Sequence, residues 1–439
     1  MPVAGDLPQH FADAMGALLG PDFPTDLGVA VSGGGDSMVM LHLAAGWARI
    51  YGIKLWVVTV DHGLRAESAA EAAMVADEAR GLGLTHSNLR WEGWDGQGNL
   101  QAAARRARLD LIGRWRGVVG HVLMAHTMDD QAETFLMRLA RGSGVEGLSA
   151  MAGLSRVAQG AFMPLRMPDG PPWPATVQGH WHVVRPLLGA TRAELRHFAK
   201  LLHIPFVDDP SNADPRFDRV KFRALLDPLD AVGLSRSRLA GTAMRQARAR
   251  VALAARAHDV ALRVAHEMDG AVVFDRDALA EIEADTQLRL VAAAVQMVSS
   301  SPYRPRETAL EAAVERAMSG GAATLQGAIL VPQGRKLWVA REHEAVAECA
   351  TPAGPAGLWD GRWRIYGPDL QGKVIRPLGP VGLRQIDRPA GLPVPVVLSA
   401  PAVWDGDHLF AFKPAGYGPN YVAEHHPPGG SFPKRLLSH

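Results

Sequence analysis

The chain has 439 residues, of which 47% are hydrophobic and 21% are charged, and this length predicts two or three domains. Its formal net charge of +1 gives no overall electrostatic reason to expect a nucleic-acid partner. A single cysteine excludes an internal disulfide and a cysteine-based metal cluster, and the lack of a long apolar run or basic leader predicts a cytoplasmic protein that makes no membrane contact.

The first part of the chain alternates short apolar runs with helical patterns. Strands are predicted at 27–31, 55–60, 85–91 and 121–126, and helices at 38–50, 68–82, 100–115 and from about residue 129. This alternation predicts an α/β fold with a doubly wound parallel sheet covered by helices on both faces. Ligands of such sheets bind beyond the carboxyl ends of the strands, so residues 32–37, 61–63 and 126–133 are expected at one rim.

The later part of the chain has a different pattern. Thr191 and Glu194 have capping-box spacing at the start of a helix, long helices are predicted at 235–267 and 306–318, and Gly334 turns a hairpin. The segment 352–357, PAGPAG, reads as a linker. We therefore expect domains at 1–220, at 221–350, which is mainly helical, and at 351–439, which is small and α+β.

The stretch VAVSGGGDSMVML contains the first candidate site. Three contiguous glycines, flanked by Ser32 and Ser37, follow a strand and open a helix, which predicts an anion cradle of backbone N–H groups and hydroxyls. The loop lacks the lysine of a Walker A motif. Asp36 would repel a phosphate unless a cation such as Mg²⁺ lay between them. The alternative is a tight turn with a capping aspartate.

The stretch AHTMDDQAET contains the second candidate site. It puts His126 at a strand end and Asp129, Asp130 and Glu133 in the first turns of a helix, with Asp130 and Glu133 on one face. Such carboxylates hold Mg²⁺, bind an ammonium group or act as a base. Ordinary helix capping is the alternative, and the shared rim with the glycine loop favours function.

Arginines supply a third set of candidates. Arg105, Arg106, Arg108 and Arg185 either reach a polyphosphate or stay solvated. Residues 216–256 contain ten Lys or Arg against three acids, which fits either a phosphate-backbone partner or a solvated helix face.

Together these segments resemble the tRNA(Ile)-lysidine synthetase family of PP-loop ATP pyrophosphatases. The resemblance runs through SGGGDS, VDHGLR, AARRAR, AHTMDDQAETFLMRLARGSGVEGLSAM, RPLL and DDPSNADPRFDR. It implies an adenine nucleotide alpha hydrolase-like fold and a ligase that uses ATP and Mg²⁺. Such enzymes adenylate the C2 carbonyl oxygen of the wobble cytidine of a tRNA(Ile) with a CAU anticodon and release pyrophosphate, and the amine of free L-lysine then attacks C2 and displaces AMP.

The resemblance also implies roles for individual residues. Those near the nucleotide would be Ser32, Gly33, Gly34, Gly35, Asp36, Ser37, Asp61, His62, Gly63 and Arg185, with Asp36 on the metal. The catalytic residues would be Asp36, Arg108, His126, Asp130 and Glu133, with the order of the two rim carboxylates left open. Thr127 replaces a second histidine that the family often has, and Val220 stands where it often has an asparagine.

Three questions stay open on the sequence alone. Another PP-loop ATP pyrophosphatase, tRNA-modifying or amide-forming, is one alternative function, and a non-catalytic nucleotide-binding module is another. A homodimer is one option for the oligomeric state. The C-terminal part resembles the family mainly in layout, so its contact with tRNA is a weaker expectation.

Overall fold

The computed structural model describes residues 7–63, 68–92, 94, 96–98, 100–158, 162–174, 179–208, 216, 218–427 and 429–437. Residues 64–65 and all of 209–217 except residue 216, which belong to two of the predicted motifs, lie outside the described residues. The chain divides into two compact units, residues 1–250 and residues 251–439, and each is described separately. None of the described helices is both long enough and apolar enough to span a membrane.

The first unit is built on a six-stranded sheet in the order β3-β2-β1-β4-β6-β5, parallel except for the antiparallel edge strand β5. Its strands are β1 (Asp26–Ala30), β2 (Lys54–Asp61), β3 (Thr85–Arg90), β4 (His121–Met124), β5 (Leu154–Ala158) and β6 (His180–Val184). The predicted doubly wound parallel sheet is confirmed, and the four predicted strands are found with small shifts at their ends.

Nine helices of the first unit are described, the last continuing past residue 250. They are α1 (Leu7–Leu19), α2 (Gly35–Tyr51), α3 (Ser68–Gly81), α4 (Leu100–Trp115), α5 (Met128–Leu139), α6 (Val145–Leu148), α7 (Arg192–Leu201), α8 (Asp218–Ala231) and α9 (Arg236–Val264). The helices predicted from periodicity are confirmed, and Thr191 caps α7 in the predicted capping box with Glu194.

Two hydrophobic clusters cover the two faces of this sheet. On one face α1 and α2 pack Phe11, Met15 and Met38 against β1, and on the other α4 packs Ile112 and Trp115 against the sheet. β1 and β4 approach closely at Gly28, where an added Cβ would lie 3.0 Å from Val122 Cγ2. The strand order reverses between these two strands, so the segments that follow them diverge and leave a crevice.

The second unit combines helices with three small sheets. Its helices are α10 (Arg276–Ala280), α11 (Ala284–Ser299), α12 (Glu307–Met318), α13 (Gly379–Leu383), α14 (Val394–Ser399) and α15 (Phe432–Leu437). Its strands are β7 (Ala265–Met268), β8 (Ala271–Asp275), β9 (Ala323–Leu325), β10 (Ala328–Gln333), β11 (Lys336–Arg341), β12 (Thr351–Pro352), β13 (Gly354–Trp359), β14 (Trp363–Tyr366), β15 (Val374–Pro377), β16 (Pro401–Asp405), β17 (His408–Ala411) and β18 (Val422–His425).

Two predictions for the second unit have opposite outcomes. The hairpin at Gly334 is confirmed, since Gln333 pairs with Lys336 at its end. The linker at 352–357 is wrong, because these residues enter strands β12 and β13, and β13 pairs with β14. Backbone hydrogen bonds to neighbouring strands outweigh the loop tendency of the Pro and Gly residues.

Candidate active site

A cavity of about 540 Å³ opens in the first unit at the carboxyl ends of β1 and β4. It is lined by the start of α2, by the end of β4 and start of α5, and by side chains of α4, α7 and α8. The predicted residues in its wall are Ser32, Gly34, Gly35, Asp36, Ser37, Arg108, His126 and Asp130. The glycine loop and the acidic block, 90 residues apart in sequence, therefore face one space.

The glycine loop is held in place by hydrogen bonds within itself. Ser37 Oγ accepts a hydrogen bond from Ser32 N at 3.1 Å and donates to Gly34 O at 2.9 Å. Gly33 has φ of 87°, a left-handed conformation that glycine adopts without steric cost. Gly34 is the N-cap of α2 and provides no side-chain cap, so the positive end of the helix dipole is directed at the cavity.

A segment after α7 fixes the loop from the other side. Val207 N donates to Gly33 O at 3.0 Å, and Val207 forms an isolated parallel bridge with Gly34. Phe206 packs over Gly35, whose added Cβ would lie 3.5 Å from its ring. A Cβ at Gly35 would therefore make an ordinary van der Waals contact with Phe206, and it is at Gly33 that the backbone conformation favours glycine.

The acidic block is organised by a second capping box. Thr127 is the N-cap of α5: its hydroxyl accepts from Asp130 N, and Asp130 Oδ2 accepts from Thr127 N at 2.8 Å. Thr127 thus has a structural role at the position where the family often has histidine. The same contacts turn the other carboxylate oxygen of Asp130, Oδ1, towards Arg192 and Arg219.

Arg192, the first residue of α7, joins both candidate segments. Its Nε donates to Asp36 Oδ2 at 3.1 Å, and its Nη2 donates to Asp130 Oδ1 at 3.1 Å. Its Nη1 lies 3.5 Å from Glu133 Oε1. Burial opposes the charge, but Asp130, Asp36 and Glu133 together raise the pKa of Arg192. In the sequence, Arg192 stands outside the motifs of both candidate sites.

Glu133 lies beneath the cavity wall and has no exposed side-chain surface. Its Oε2 accepts from Arg219 Nε at 2.7 Å, and its Oε1 accepts from Arg223 Nε at 2.7 Å. Of these two carboxylates, which are expected on one face of α5, Asp130 lines the cavity and Glu133 does not, and their roles at the site stay predictions. A helical spacing of three predicts a shared face but not equal depth.

Asp129 anchors two elements that surround the site. Its Oδ2 accepts from the backbone N of Arg192 at 2.8 Å, and its Oδ1 accepts from Arg236 Nε at 2.9 Å. Arg236 also pairs with Asp227 at 2.7 Å. Several cations of the basic run are therefore partnered by acids of α5, which a charge count along the sequence does not reveal.

Two of the aspartates that line the cavity, Asp36 and Asp130, have different proton affinities. Burial raises the pKa of Asp36, and the opposing effect of Arg192 does not cancel it. Burial also works against the charge of Asp130, but Arg219 and Arg192 outweigh it and lower its pKa. Asp130 is therefore a firmly ionised group, and Asp36 is a carboxylate short of compensating positive charge.

His126 lies at the end of β4 in a cationic environment. Burial, with Arg185 as the next cause, lowers its pKa to about 3, so its imidazole is neutral at physiological pH. Among the described residues its Nδ1 is buried without a hydrogen-bond partner. A neutral ring with an unused nitrogen is suited to contact a bound substrate.

Arg185 does not line the cavity. Its Nη1 donates to Ala152 O and to Ser155 Oγ, each at 2.8 Å, and burial lowers its pKa to about 10. The expected contact of Arg185 with a nucleotide stays a prediction, and the charge of Arg185 contributes to the lowered pKa of His126.

The predicted site residues that follow β2 lie outside the cavity wall. Asp61 Oδ1 accepts from Gly63 N at 2.8 Å, and this hydrogen bond lowers its pKa against the effect of burial. His62 lies 3.4 Å from Arg108 Nη2, and burial with Arg108 lowers its pKa to about 4. Asp61, His62 and Gly63 do not line the cavity, but Arg108 connects them to it.

The donor set of the cavity fits a metal ion that is bound by one carboxylate together with waters and substrate phosphates. No group of three or more His, Cys, Asp or Glu side chains is arranged to hold a metal among the described residues. Mg²⁺ is commonly bound by one or two carboxylates together with waters and substrate phosphates. Asp36, next to the phosphate-type cradle and short of positive charge, fits that arrangement.

Comparison with known proteins identifies the family. A family model for the PP-loop domain matches residues 7–229. A tRNA(Ile)-lysidine synthase from Ruegeria pomeroyi is 41% identical over 435 residues, or 98% of each chain. Another, from Wolbachia pipientis, is 33% identical over 81% of this chain and 80% of its own. The chain belongs to the tRNA(Ile)-lysidine synthase family.

Membership in this family confirms the resemblance drawn from the motifs and makes the chain an ATP-using ligase of the PP-loop type. Among solved structures, the U34-tRNA thiolase NcsA from Methanococcus maripaludis aligns with 55% of this chain and 78% of its own, at 16% identity and a TM-score of 0.42.

Proposed function

We propose that the chain joins the ε-amine of free L-lysine to C2 of the wobble cytidine in a tRNA(Ile) with a CAU anticodon. One ATP is cleaved to AMP and pyrophosphate in the reaction. The observation that carries this proposal is the single cavity that holds both the glycine loop and Asp130. The reaction needs a polyphosphate site and an ammonium site within reach of one carbon atom, and the names of the relatives support the same chemistry.

In the first step the C2 oxygen of the cytidine attacks the α-phosphorus of ATP, and pyrophosphate leaves. The backbone N–H groups of the loop, the hydroxyl of Ser32 and the N-terminus of α2 would bind the phosphates, and Ser37 would hold the loop in shape through its bond to Gly34 O. Asp36 would hold Mg²⁺, which offsets charge on the departing phosphates when bound. Arg108, in the cavity wall, would stabilise charge that develops on the transferred group.

In the second step the amine of lysine attacks C2, and AMP leaves with the former C2 oxygen. We assign the binding of the lysine ammonium to Asp130, whose Oδ1 faces the cavity and accepts from Arg219 at 2.9 Å. Arg219 is 38% exposed, so an incoming ammonium can displace it. Glu133 would position Arg219 and Arg223 from below rather than contact lysine.

The ammonium must lose a proton before it can attack. His126 is the neutral group proposed to accept it, through the ring nitrogen that lacks a partner. Arg185, Arg105 and Arg219 all depress its pKa in the free protein. The phosphate of the adenylated intermediate would offset part of those charges, and His126 would become more basic when that intermediate is in place.

The tRNA would be bound by residues beyond the catalytic centre. In this proposal residues 1–220 carry catalysis, residues 221–350 bind tRNA and residues 351–439 contact it. Arg245 and Arg248 are exposed on α9, and exposed cations of this kind bind phosphates with an affinity that falls as salt rises. A homodimer stays a prediction.

The test is direct incorporation of lysine. Purified protein is incubated with ATP, Mg²⁺, radiolabelled lysine and an unmodified tRNA(Ile) transcript bearing a CAU anticodon. We expect label in the tRNA, with AMP and pyrophosphate released in equal amounts. Absence of all three products would refute the proposal, whereas AMP release without label would favour another PP-loop ATP pyrophosphatase, and ATP binding without turnover would favour a nucleotide-binding module.

A variant connects this assay to the loop. Asp36→Asn is expected to reduce pyrophosphate release by about 10²- to 10³-fold, the usual effect of losing one electrostatic contact in a catalytic site. Retention of tRNA on a filter should be unchanged. Loss of tRNA retention in this variant would mean that Asp36 supports the fold rather than the nucleotide.

A further inference from the structure

Arg192 holds a position that the proposed chemistry assigns to a cation. Its guanidinium contacts Asp36, Asp130 and Glu133 through three different nitrogens, at 3.1, 3.1 and 3.5 Å. Asp130 and Glu133 have further arginine partners in Arg219. For Asp36 the described contacts give Arg192 as the ion-pair partner. Asp130 and Glu133 would therefore keep an arginine partner if Arg192 moved away, whereas Asp36 would lose the partner that the described contacts give it.

The backbone around Arg192 is fixed independently of its side chain. Its N–H donates to Asp129, and the preceding Thr191 forms a capping box with Glu194. Beyond the far end of the same helix, Val207 is hydrogen-bonded to Gly33 in the glycine loop. The side chain can therefore change partner while α7 and the loop keep their positions.

We propose that Arg192 is a positioning residue that occupies Asp36 in the nucleotide-free protein and releases this carboxylate when a divalent cation binds with ATP. The guanidinium holds the loop and the acidic block in register until the cation arrives. Arg192 and the cation compete for Asp36. The inference rests on the proposed use of Asp36 as a metal ligand, but it concerns the free protein and requires neither tRNA nor lysine.

Competition between Arg192 and the cation predicts the direction in which the affinity for the cation changes when Arg192 is removed. If the Arg192–Asp36 pair must break before the cation binds, removal of Arg192 makes cation binding tighter, although it deletes a contact. A partly buried ion pair worth about 1 kcal/mol corresponds to a shift of about fivefold. A residue with a merely structural role would leave the affinity for the cation unchanged or weaken it.

The experiment measures the Mg²⁺ dependence of binding of a fluorescent, non-hydrolysable ATP analogue to the full chain at pH 8. Arg192→Gln is expected to lower the half-saturating Mg²⁺ concentration about fivefold. Arg196→Gln is the matched control, because Arg196 lies on the same helix and in the same cavity but pairs with Asp208. It removes the same charge without freeing Asp36, and it therefore reports the general electrostatic effect.

Two further variants test whether the shift in Mg²⁺ affinity comes from the Arg192–Asp36 pair. Arg192→Lys retains one charge and should lie between the wild type and Arg192→Gln, which provides a second reading if the glutamine variant folds poorly. In an Asp36→Asn background, Arg192→Gln should no longer shift the Mg²⁺ midpoint. Equal shifts for Arg192→Gln and Arg196→Gln, or no shift for Arg192→Gln, would overturn the inference even if lysidine is formed. A clear shift without lysine incorporation would instead refute the proposed function alone.

Discussion

Arg219 and Glu133 form a hydrogen-bonded ion pair between α8 and α5, with Nε 2.7 Å from Oε2. The carboxylate of Glu133 is completely buried, and Arg192 and Arg223 share it. Loss of one partner of a buried ionic cluster leaves the other charges uncompensated. The stability of the site therefore depends on Glu133, although Glu133 does not line the cavity.

Glu133→Gln is expected to lower the free energy of unfolding by about 3 to 5 kcal/mol, because it leaves excess arginine charge in a buried site. Urea unfolding followed by circular dichroism measures the loss. Asp208→Asn is the control: its carboxylate is 69% exposed in its pair with Arg196, and it should cost less than about 1 kcal/mol. Equal losses in the two variants would contradict the buried-cluster account.

Gly33→Ala tests the conformation of the loop. The variant forces a Cβ onto a residue with φ of 87°, which costs about 1 to 2 kcal/mol, and it should also raise the concentration of ATP needed for half-saturation. Gly46→Ala in α2 is the matched control, since its Cβ meets nothing within 4 Å. A helical Gly→Ala change there should stabilise the protein by about 0.5 to 1 kcal/mol. Equal ATP affinity in both variants would show that nucleotide binding does not depend on the left-handed conformation of Gly33.

His425 predicts a pH dependence of stability in the second unit. Its ring lies 4.7 Å from that of Trp363, and burial with Arg362 lowers its pKa from 6.5 to about 4. The unfolded chain therefore binds a proton that the folded chain does not, so stability falls as the pH drops from 6.5 towards 4. Between pH 7 and pH 5 the expected loss is about 2 kcal/mol.

The measurement compares urea unfolding of the wild type with that of His425→Phe at pH 7, 6 and 5. Phenylalanine keeps a ring beside Trp363 but cannot be protonated. The difference between the two proteins should therefore change by about 2 kcal/mol across this range. Parallel curves would show that His425 does not titrate with folding.

Exposed arginines of α9 give the expected salt dependence of tRNA binding. Replacement of Arg245 and Arg248 by Ala should weaken binding and reduce the slope of log affinity against log salt by about 1.4 to 1.8, at 0.7 to 0.9 per phosphate contact. Arg80 and Arg90 are the control pair, at 74% and 72% exposure outside the basic run. The same slope change in both double variants would assign the effect to net charge alone.

The sequence predicted the rim of the sheet well because the rim depends on local patterns. Strand and helix periods located the residues after β1 and β4, and the Thr191–Glu194 spacing located the start of α7. The glycine loop was predicted as an anion cradle since Gly33 and its neighbours free the backbone for that purpose.

The ion-pair network could not be predicted in the same way. Arg192, Arg219 and Arg223 reach Asp130 and Glu133 across 62, 89 and 90 residues, and only the tertiary fold sets such distances. A charge count over residues 216–256 compares the ten Lys and Arg with the three acids of the same segment. It does not show that some of these arginines pair with the acids of α5. Burial of Glu133 was equally hidden, because helix spacing gives direction but not depth.

The fate of the cytidine C2 oxygen distinguishes adenylation of that oxygen from any other route to a lysine-modified cytidine. A tRNA(Ile) carrying oxygen-18 at C2 of its wobble cytidine is incubated with the protein, ATP, Mg²⁺ and lysine, and the released AMP is analysed by mass spectrometry. Adenylation of C2 followed by lysine attack predicts that the AMP carries the heavy oxygen. Unlabelled AMP formed together with a lysine-modified tRNA would contradict the account, because the C2 oxygen would then have left by another route.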